Sequence, residues 1–251
     1  MTATVAVLAV VACGSQDRVI VGAGTSIVDS GLIGTVAVDF PGDVSIVGGA
    51  TAELLELAAQ DSVSVAVVHD EVQELAYMAA HPDAERRAVF ASTFLVVGPP
   101  ELVATVTGST PPDVFAEIAA NDWKFVTRDD NSGTHVREMA IWEQAGISPS
   151  AESYVATGQG MGFTLQVADQ RGAFTLVEAG AYLAATDTLS LEPVPLAPSA
   201  DLLNPYSVIL VDEAGRPLFD WLMSPAGTAA VVAANNDLFG QVVYRPAGSS
   251  D

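Results

Sequence analysis

The stretch Phe125-Val126-Thr127-Arg128-Asp129-Asp130-Asn131-Ser132-Gly133-Thr134-His135 passes from a short apolar strand, through a polar loop, into the start of a helix. Val136, Met139, Ala140 and Ile141 continue it with apolar residues at helical spacing. The first N–H groups of a helix lack partners within it, and its dipole favours negative charge there. The hydroxyls of Ser132 and Thr134 and the guanidinium of Arg128 add directed donors around Gly133. No lysine and no carboxylate nucleophile is placed there for chemistry. The segment is suited to hold an anion rather than to transform one. Each residue also has a plainer role: Arg128 in a salt bridge with Asp129 or Asp130, and Ser132 as a helix cap.

Outward from this stretch, strands and helices alternate. Apolar strand patterns fall at residues 18–21, 44–47, 63–68, 94–97, 125–127, 174–177 and 206–211. Helical patterns fall at residues 29–39, 52–59, 112–120, 163–170, 179–184 and 217–223. Such alternation predicts an α/β fold with largely parallel sheets. Thr25-Ser26 after Gly22-Ala23-Gly24, and Thr51 after Gly48-Gly49, stand where a strand ends and a helix begins. Crevices in parallel sheets form at such ends. Gly98-Pro99-Pro100 and the proline-marked stretch from Pro193 to Pro198 bracket a central segment. A central unit inserted in a discontinuous outer one fits that pattern.

Composition narrows the function. The chain has 251 residues, half of them hydrophobic, enough for two packed units. Nine basic residues face 31 acidic ones, for a net charge of −22, which argues against nucleic acid and anionic lipid as partners. It does not argue against a small anion, because charges beyond a Debye length of about 8 Å are largely screened at physiological salt. Gly22-Ala23-Gly24 lacks the third glycine of a dinucleotide fingerprint, since Ile27 stands there, and the next strand ends in Gly48-Gly49 without an acid. Serine-hydrolase and P-loop signatures are absent. Ser132 and His135, three apart at a helix start, suit a turn better than a nucleophile and base. His69, His81 and His135 show no metal-ligand spacing. Residues 1–12 are almost wholly apolar or small, shorter than the ~20 residues a bilayer span needs. Val10-Val11-Ala12-Cys13 fits a lipoprotein processing site, with Cys13 as the lipid anchor, although no Lys or Arg precedes the apolar run. The alternative is a buried N-terminal strand with an inert cysteine.

Several phrases together resemble the tungstate substrate-binding proteins of bacterial ABC transporters. They are Thr25-Ser26-Ile27-Val28-Asp29-Ser30-Gly31-Leu32, Val65-Ala66-Val67-Val68-His69, Phe94-Leu95-Val96-Val97-Gly98-Pro99 and the Arg128 to His135 loop. Trp142-Glu143-Gln144-Ala145-Gly146-Ile147, Gly158-Gln159-Gly160-Met161-Gly162, Phe174-Thr175-Leu176 and Asn204-Pro205-Tyr206 continue the match in order. The resemblance implies a two-lobed periplasmic-binding-protein fold (type II), each lobe a mixed, mostly parallel sheet flanked by helices. It implies a signal and tether over 1–17, an outer lobe of 18–98 and 199–247, and a central lobe of 99–198. An oxyanion, tungstate with molybdate next, would sit between Thr25, Ser26 and Thr51 on one side and Arg128, Ser132, Gly133 and Thr134 on the other. It further implies a monomer outside the cytoplasm that delivers ligand to a membrane permease, with no cofactor, no metal besides the oxyanion, and no catalysis. The alternatives are an oxyanion-sensing receptor subunit without import and an enzyme on the same fold. Two departures bear on affinity and anion choice rather than fold. Ala23-Gly24 replaces the first half of a threonine-rich run, and Ala91-Ser92-Thr93 replaces a Tyr-Asn-Asp phrase.

The donors so placed favour a fully deprotonated dianion over phosphate, whose O–H wants an acceptor. His69, at the end of the 63–68 strand, suits a dianion. Asp70 or Asp129 turned towards the ligand would reverse that preference.

Overall fold

The computed structural model describes residues 18–248. Cys13 and the rest of the leading segment lie outside the described residues. The chain begins with β1 (Val19–Gly24), α1 (Thr25–Asp29), α2 (Leu32–Val38), β2 (Val44–Gly49), α3 (Thr51–Ala59), β3 (Val65–Val68) and α4 (Glu71–Ala80). A long strand, β4 (Glu85–Gly98), leads to α5 (Pro100–Val103), α6 (Pro111–Ala120), β5 (Phe125–Thr127), α7 (Gly133–Gln144) and β6 (Tyr154–Ala156). Then come α8 (Met161–Arg171), β7 (Thr175–Glu178), α9 (Ala179–Ala185) and β8 (Glu192–Pro193). The chain closes with β9 (Leu203–Leu210), α10 (Arg216–Leu222), α11 (Pro225–Phe239) and β10 (Arg245–Pro246).

Two main hydrophobic cores, each with a smaller cluster beside it, divide these elements into two lobes. One gathers Val21, Ile27, Leu32, Val65, Val67, Phe90, Tyr206 and Phe219. The other is built on Phe94, Phe115, Phe125, Trp142 and Phe174, with the rings of Phe115 and Trp142 4.5 Å apart between centroids. β4 belongs to both. Its residues 85–93 pair antiparallel with β9, while residues 94–98 pair antiparallel with β7 and β8. The strand changes lobe between Thr93 and Phe94.

Parallel pairing holds where strands alternate with helices: β1 with β2, β1 with β3, and β5 with β6. The crossover strands do not follow it. β9 runs antiparallel to β3 and β4, and β10 antiparallel to β4. A strand that returns from the other lobe re-enters from the opposite end, so the expected mixed sheet is parallel where strands and helices alternate and antiparallel at the crossovers.

Local sequence explains most boundaries. Thr110 and Asp113 form a reciprocal capping box at α6, with proline in its first turn. α11 starts on Ser224 and stops at Gly240 in the left-handed region. Gly31, at φ 80°, separates α1 from α2, so the helix expected over 29–39 begins at Leu32 and a short helix precedes it. β4 starts nine residues before the expected 94, because Glu85-Arg86-Arg87 reads as polar loop. In the fold Arg86 is held by the buried Glu74 at 2.6 Å, so the polar start pairs against β9 without stranding a charge. The helices α4 and α11 also go beyond the sequence expectation.

Candidate oxyanion site

Four helix starts border the cleft between the lobes. α1 and α3 follow the ends of β1 and β2, and α7 and α8 follow the loops after β5 and β6. α1, α3 and α8 begin at Gly24, Ala50 and Gly160, none of which supplies a side-chain cap. Their first N–H groups are thereby left for another acceptor. The cleft holds about 440 Å³ and is lined by Thr25, Gly48, Gly49, Ala50, Arg128, Asp130, Asn131, Gly158, Gln159 and Gly160, with Glu53 and Glu56 at an exposed edge of α3.

Among the described residues, the buried side-chain atoms without a hydrogen-bond partner are Thr25 Oγ1, Ser26 Oγ, Thr51 Oγ1, Arg128 Nη1 and Thr134 Oγ1. All five belong to residues singled out from the sequence. A buried polar group without a partner costs about 1–3 kcal/mol. Four of them at these helix starts, with the Arg128 nitrogen in the loop before α7, mark a site that an acceptor-rich ligand completes.

Arg128 is 2% exposed. Its Nε and Nη2 donate to Asp130 Oδ2 at 3.0 and 2.6 Å, which fixes the guanidinium plane and leaves Nη1 as the free end. The salt bridge and the anion contact therefore use different nitrogens. Asp130 Oδ1 accepts from the Ser132 backbone N–H at 3.0 Å. Burial alone would raise the Asp130 pKa, but the Arg128 guanidinium and the hydrogen bonds from Ser132 outweigh it and hold the carboxyl below the usual range. Both oxygens are engaged within the loop, which makes Asp130 a poor acceptor for a protonated ligand.

Ser132 caps α7 by accepting from the His135 N–H at 3.3 Å, as its plainer reading required. Gly133 is the first residue of that helix and meets His69 of the opposite lobe. Asp70 is turned away from the cleft into the start of α4, where it accepts from Val72 N, Gln73 N and Gln73 Nε2. Asp129 is 60% exposed and lies 3.8 Å from His135. Neither aspartate faces the ligand position. His69 is buried, with Nδ1 2.8 Å from Asn204 Oδ1. Its pKa falls to about 4, chiefly through burial, so the ring is neutral at pH 7.

The sequence offered Asp129 or Asp130 as the partner of Arg128, and the structure takes Asp130; it did not offer the Gly158-Gln159-Gly160 wall. Three residues of which two are glycine, just before a helix, were the available signal for that wall. A separate hollow of about 360 Å³ is lined by Val19, Phe40, Pro41, Pro217 and Trp221, and its charged groups, Asp43 and Glu213, are unsuited to an anion.

Comparison with known proteins agrees with this geometry. The tungstate-binding protein TupA of Peptoclostridium acidaminophilum is 29% identical over 248 residues, covering 92% of this chain and 86% of that protein. The solved tungstate ABC transporter protein of Geobacter sulfurreducens superposes with a TM-score of 0.76 at 26% identity, over 87% of this chain and 99% of its own. TupA of Desulfovibrio alaskensis G20 gives a TM-score of 0.72 at 26% identity, over 92% and 99%. The PBP superfamily domain matches residues 12–230. Two lobes, a cleft ringed by helix starts and a match over most of the chain lead to one assignment: this protein belongs to the PBP superfamily.

Proposed function

We propose that the chain is the extracytoplasmic solute-binding protein of an ABC importer and takes a tetrahedral oxyanion, tungstate first and molybdate next, into the cleft. One observation carries the reading: five buried donors without partners stand at the cleft's helix starts and on the fixed guanidinium. Thr25, Ser26 and Thr51 bind from the outer lobe, and Arg128, Thr134 and the Gly133 end of α7 from the central lobe. Ser132 holds that end in place. The lobes close over the ligand by hinge motion about β4 and β9, and the closed form delivers it to a membrane permease. The outer lobe comprises residues 18–93 and 203–247 and the central lobe residues 94–202, a few residues from the joints expected at 98 and 199, because residues 94–98 pair with β7 and β8 and Leu202 packs in the central core. The relatives' names, tungstate-binding and tungstate transport, support the choice of anion.

Among the described residues no helix is long and apolar enough to cross a membrane. The Val10-Val11-Ala12-Cys13 pattern supports attachment at the membrane surface through lipidation of Cys13, with the monomer as the working unit.

The donor set favours a dianion. Asp130 and Asp70 direct their oxygens to groups inside the protein, so no buried carboxylate stands free at the site to accept the O–H of phosphate, and only weaker hydroxyl acceptors remain. Calorimetric titration with tungstate, molybdate, sulfate and phosphate at pH 7.5 tests the reading. Tungstate binds tightest and phosphate weakest. Binding of none of the four would overturn the function, and phosphate matching tungstate would overturn the selectivity.

A further inference from the structure

The corner between β3 and α4 touches the anion loop of the other lobe at two points. His69 is rigid within its own lobe, with Nδ1 tied to Asn204 Oδ1 at 2.8 Å and its ring 4.8 Å from that of Tyr206. Its outer edge abuts Gly133, the first residue of α7. A Cβ built on Gly133 would lie 2.7 Å from His69 Cε1 and Nδ1 and 2.8 Å from the His69 carbonyl oxygen. No side chain larger than hydrogen fits there while the lobes stand in this arrangement. Four residues on, Gln73 Nε2 donates to Asn131 O at 3.1 Å. The same amide nitrogen is steadied by Asp70 Oδ2 at 2.7 Å, and Asp70 caps the helix that carries Gln73. A rigid ring and an oriented amide thus meet Asn131 and Gly133, the residues that flank Ser132.

We propose that His69 and Gln73 are positioning residues for the oxyanion: they form a latch that seats the Asn131–Gly133 turn and keeps the cleft shut on its ligand. Neither acts on the anion itself. The latch rests on the proposed oxyanion-binding reading and adds the residues that set how long the ligand stays. A contact made only on closure slows release and leaves capture largely unchanged, because encounter precedes closure.

Three variants test this with tungstate as the probe, by calorimetry for affinity and rapid filtration for release. Gly133→Ala has no backbone penalty, since Gly133 is not among the positive-φ glycines, and alanine favours the helix. Without ligand it is expected to unfold at or above the wild-type temperature, while tungstate affinity falls at least tenfold. Adding His69→Ala to it clears the collision and restores at least threefold of that loss. Gln73→Ala releases tungstate three to ten times faster, with the association rate unchanged. Wild-type affinity in Gly133→Ala, no recovery in the double variant, or a wild-type release rate in Gln73→Ala would each overturn the latch. Should Gly133→Ala not fold, the partly exposed Gln73 decides the question alone. A wild-type protein that binds none of the four oxyanions sinks the functional reading instead. The latch is then read from small-angle scattering of the ligand-free proteins: an expanded Gly133→Ala supports it, and profiles identical to wild type overturn it.

Discussion

Removing the Arg128 guanidinium separates its two duties, because they use different nitrogens. In Arg128→Ala the free Nη1 is lost to the ligand, and Asp130 loses its partner on Nε and Nη2. A hydrogen bond to a charged group contributes about 1.5–3 kcal/mol, and about 1.4 kcal/mol is a factor of ten. The lost anion contact alone therefore weakens binding about 10- to 150-fold. The single variant does worse, because an unpaired Asp130 carboxylate now stands beside a dianion. Its Oδ2 has lost both of its guanidinium bonds, and its side chain is only 15% exposed, so the charge is poorly hydrated. Arg128→Ala/Asp130→Asn removes that repulsion and most of the stability loss while leaving the anion contact absent. The assay is calorimetric titration with tungstate at pH 7.5 and 0.15 M salt, beside denaturant unfolding of the ligand-free proteins. The double variant should regain much of the stability and remain at least tenfold weaker in binding. A double variant that binds tungstate as tightly as wild type would refute the assignment of Nη1 to the ligand and leave Arg128 a structural salt bridge.

Three further outcomes follow from the geometry. Thr51→Val removes a buried hydroxyl that has no partner, so the ligand-free protein gains about 1 kcal/mol or more in denaturant unfolding while tungstate binding weakens; lower stability with unchanged affinity would show that Thr51 serves the fold instead. Glu138, buried below the anion loop and bonded by Trp142 and Tyr154, has its pKa pushed up to about 7 chiefly by burial, from an ordinary value of 4.5. Folding takes up a proton there, so stability is fully present below pH 4.5 and falls as pH rises through 7, by about 3 kcal/mol at pH 8. Glu138→Gln should therefore be markedly more stable relative to wild type at pH 8 than at pH 5, and an equal difference at both would refute the shift. The pKa of His69, lowered to about 4 from 6.5, works oppositely and costs stability as pH falls from 6.5 to 4, so it opposes the Glu138 contribution over that range. Finally, Glu53 and Glu56 at the cleft edge and a net charge of −22 repel an arriving dianion. The association rate should rise, not fall, between 0.02 and 0.5 M salt as about 20 Å of Debye length shrinks to a few ångströms; a falling rate would contradict it.

The sequence by itself determined what is local. Strand–helix alternation, the strand feeding the Arg128 loop, and hydroxyls at the starts of α1, α3 and α7 are each written within a few consecutive residues, where periodicity and capping act. Tertiary structure decided which of those hydroxyls lose every partner, since that depends on what packs against them from elsewhere in the chain. It gave Asp130 two nitrogens of Arg128 and left one for a ligand. It turned Asp70 from a possible ligand contact into the cap of α4. It also made one strand serve both lobes, because β4 finds β9 from over a hundred residues away along one half and β7 along the other. Ser92 faces Asn204 at that junction, and Asn204 holds His69 from 135 positions away. Such pairings are selected by the burial of two whole cores at once, a sum over distant residues that no short window of sequence contains.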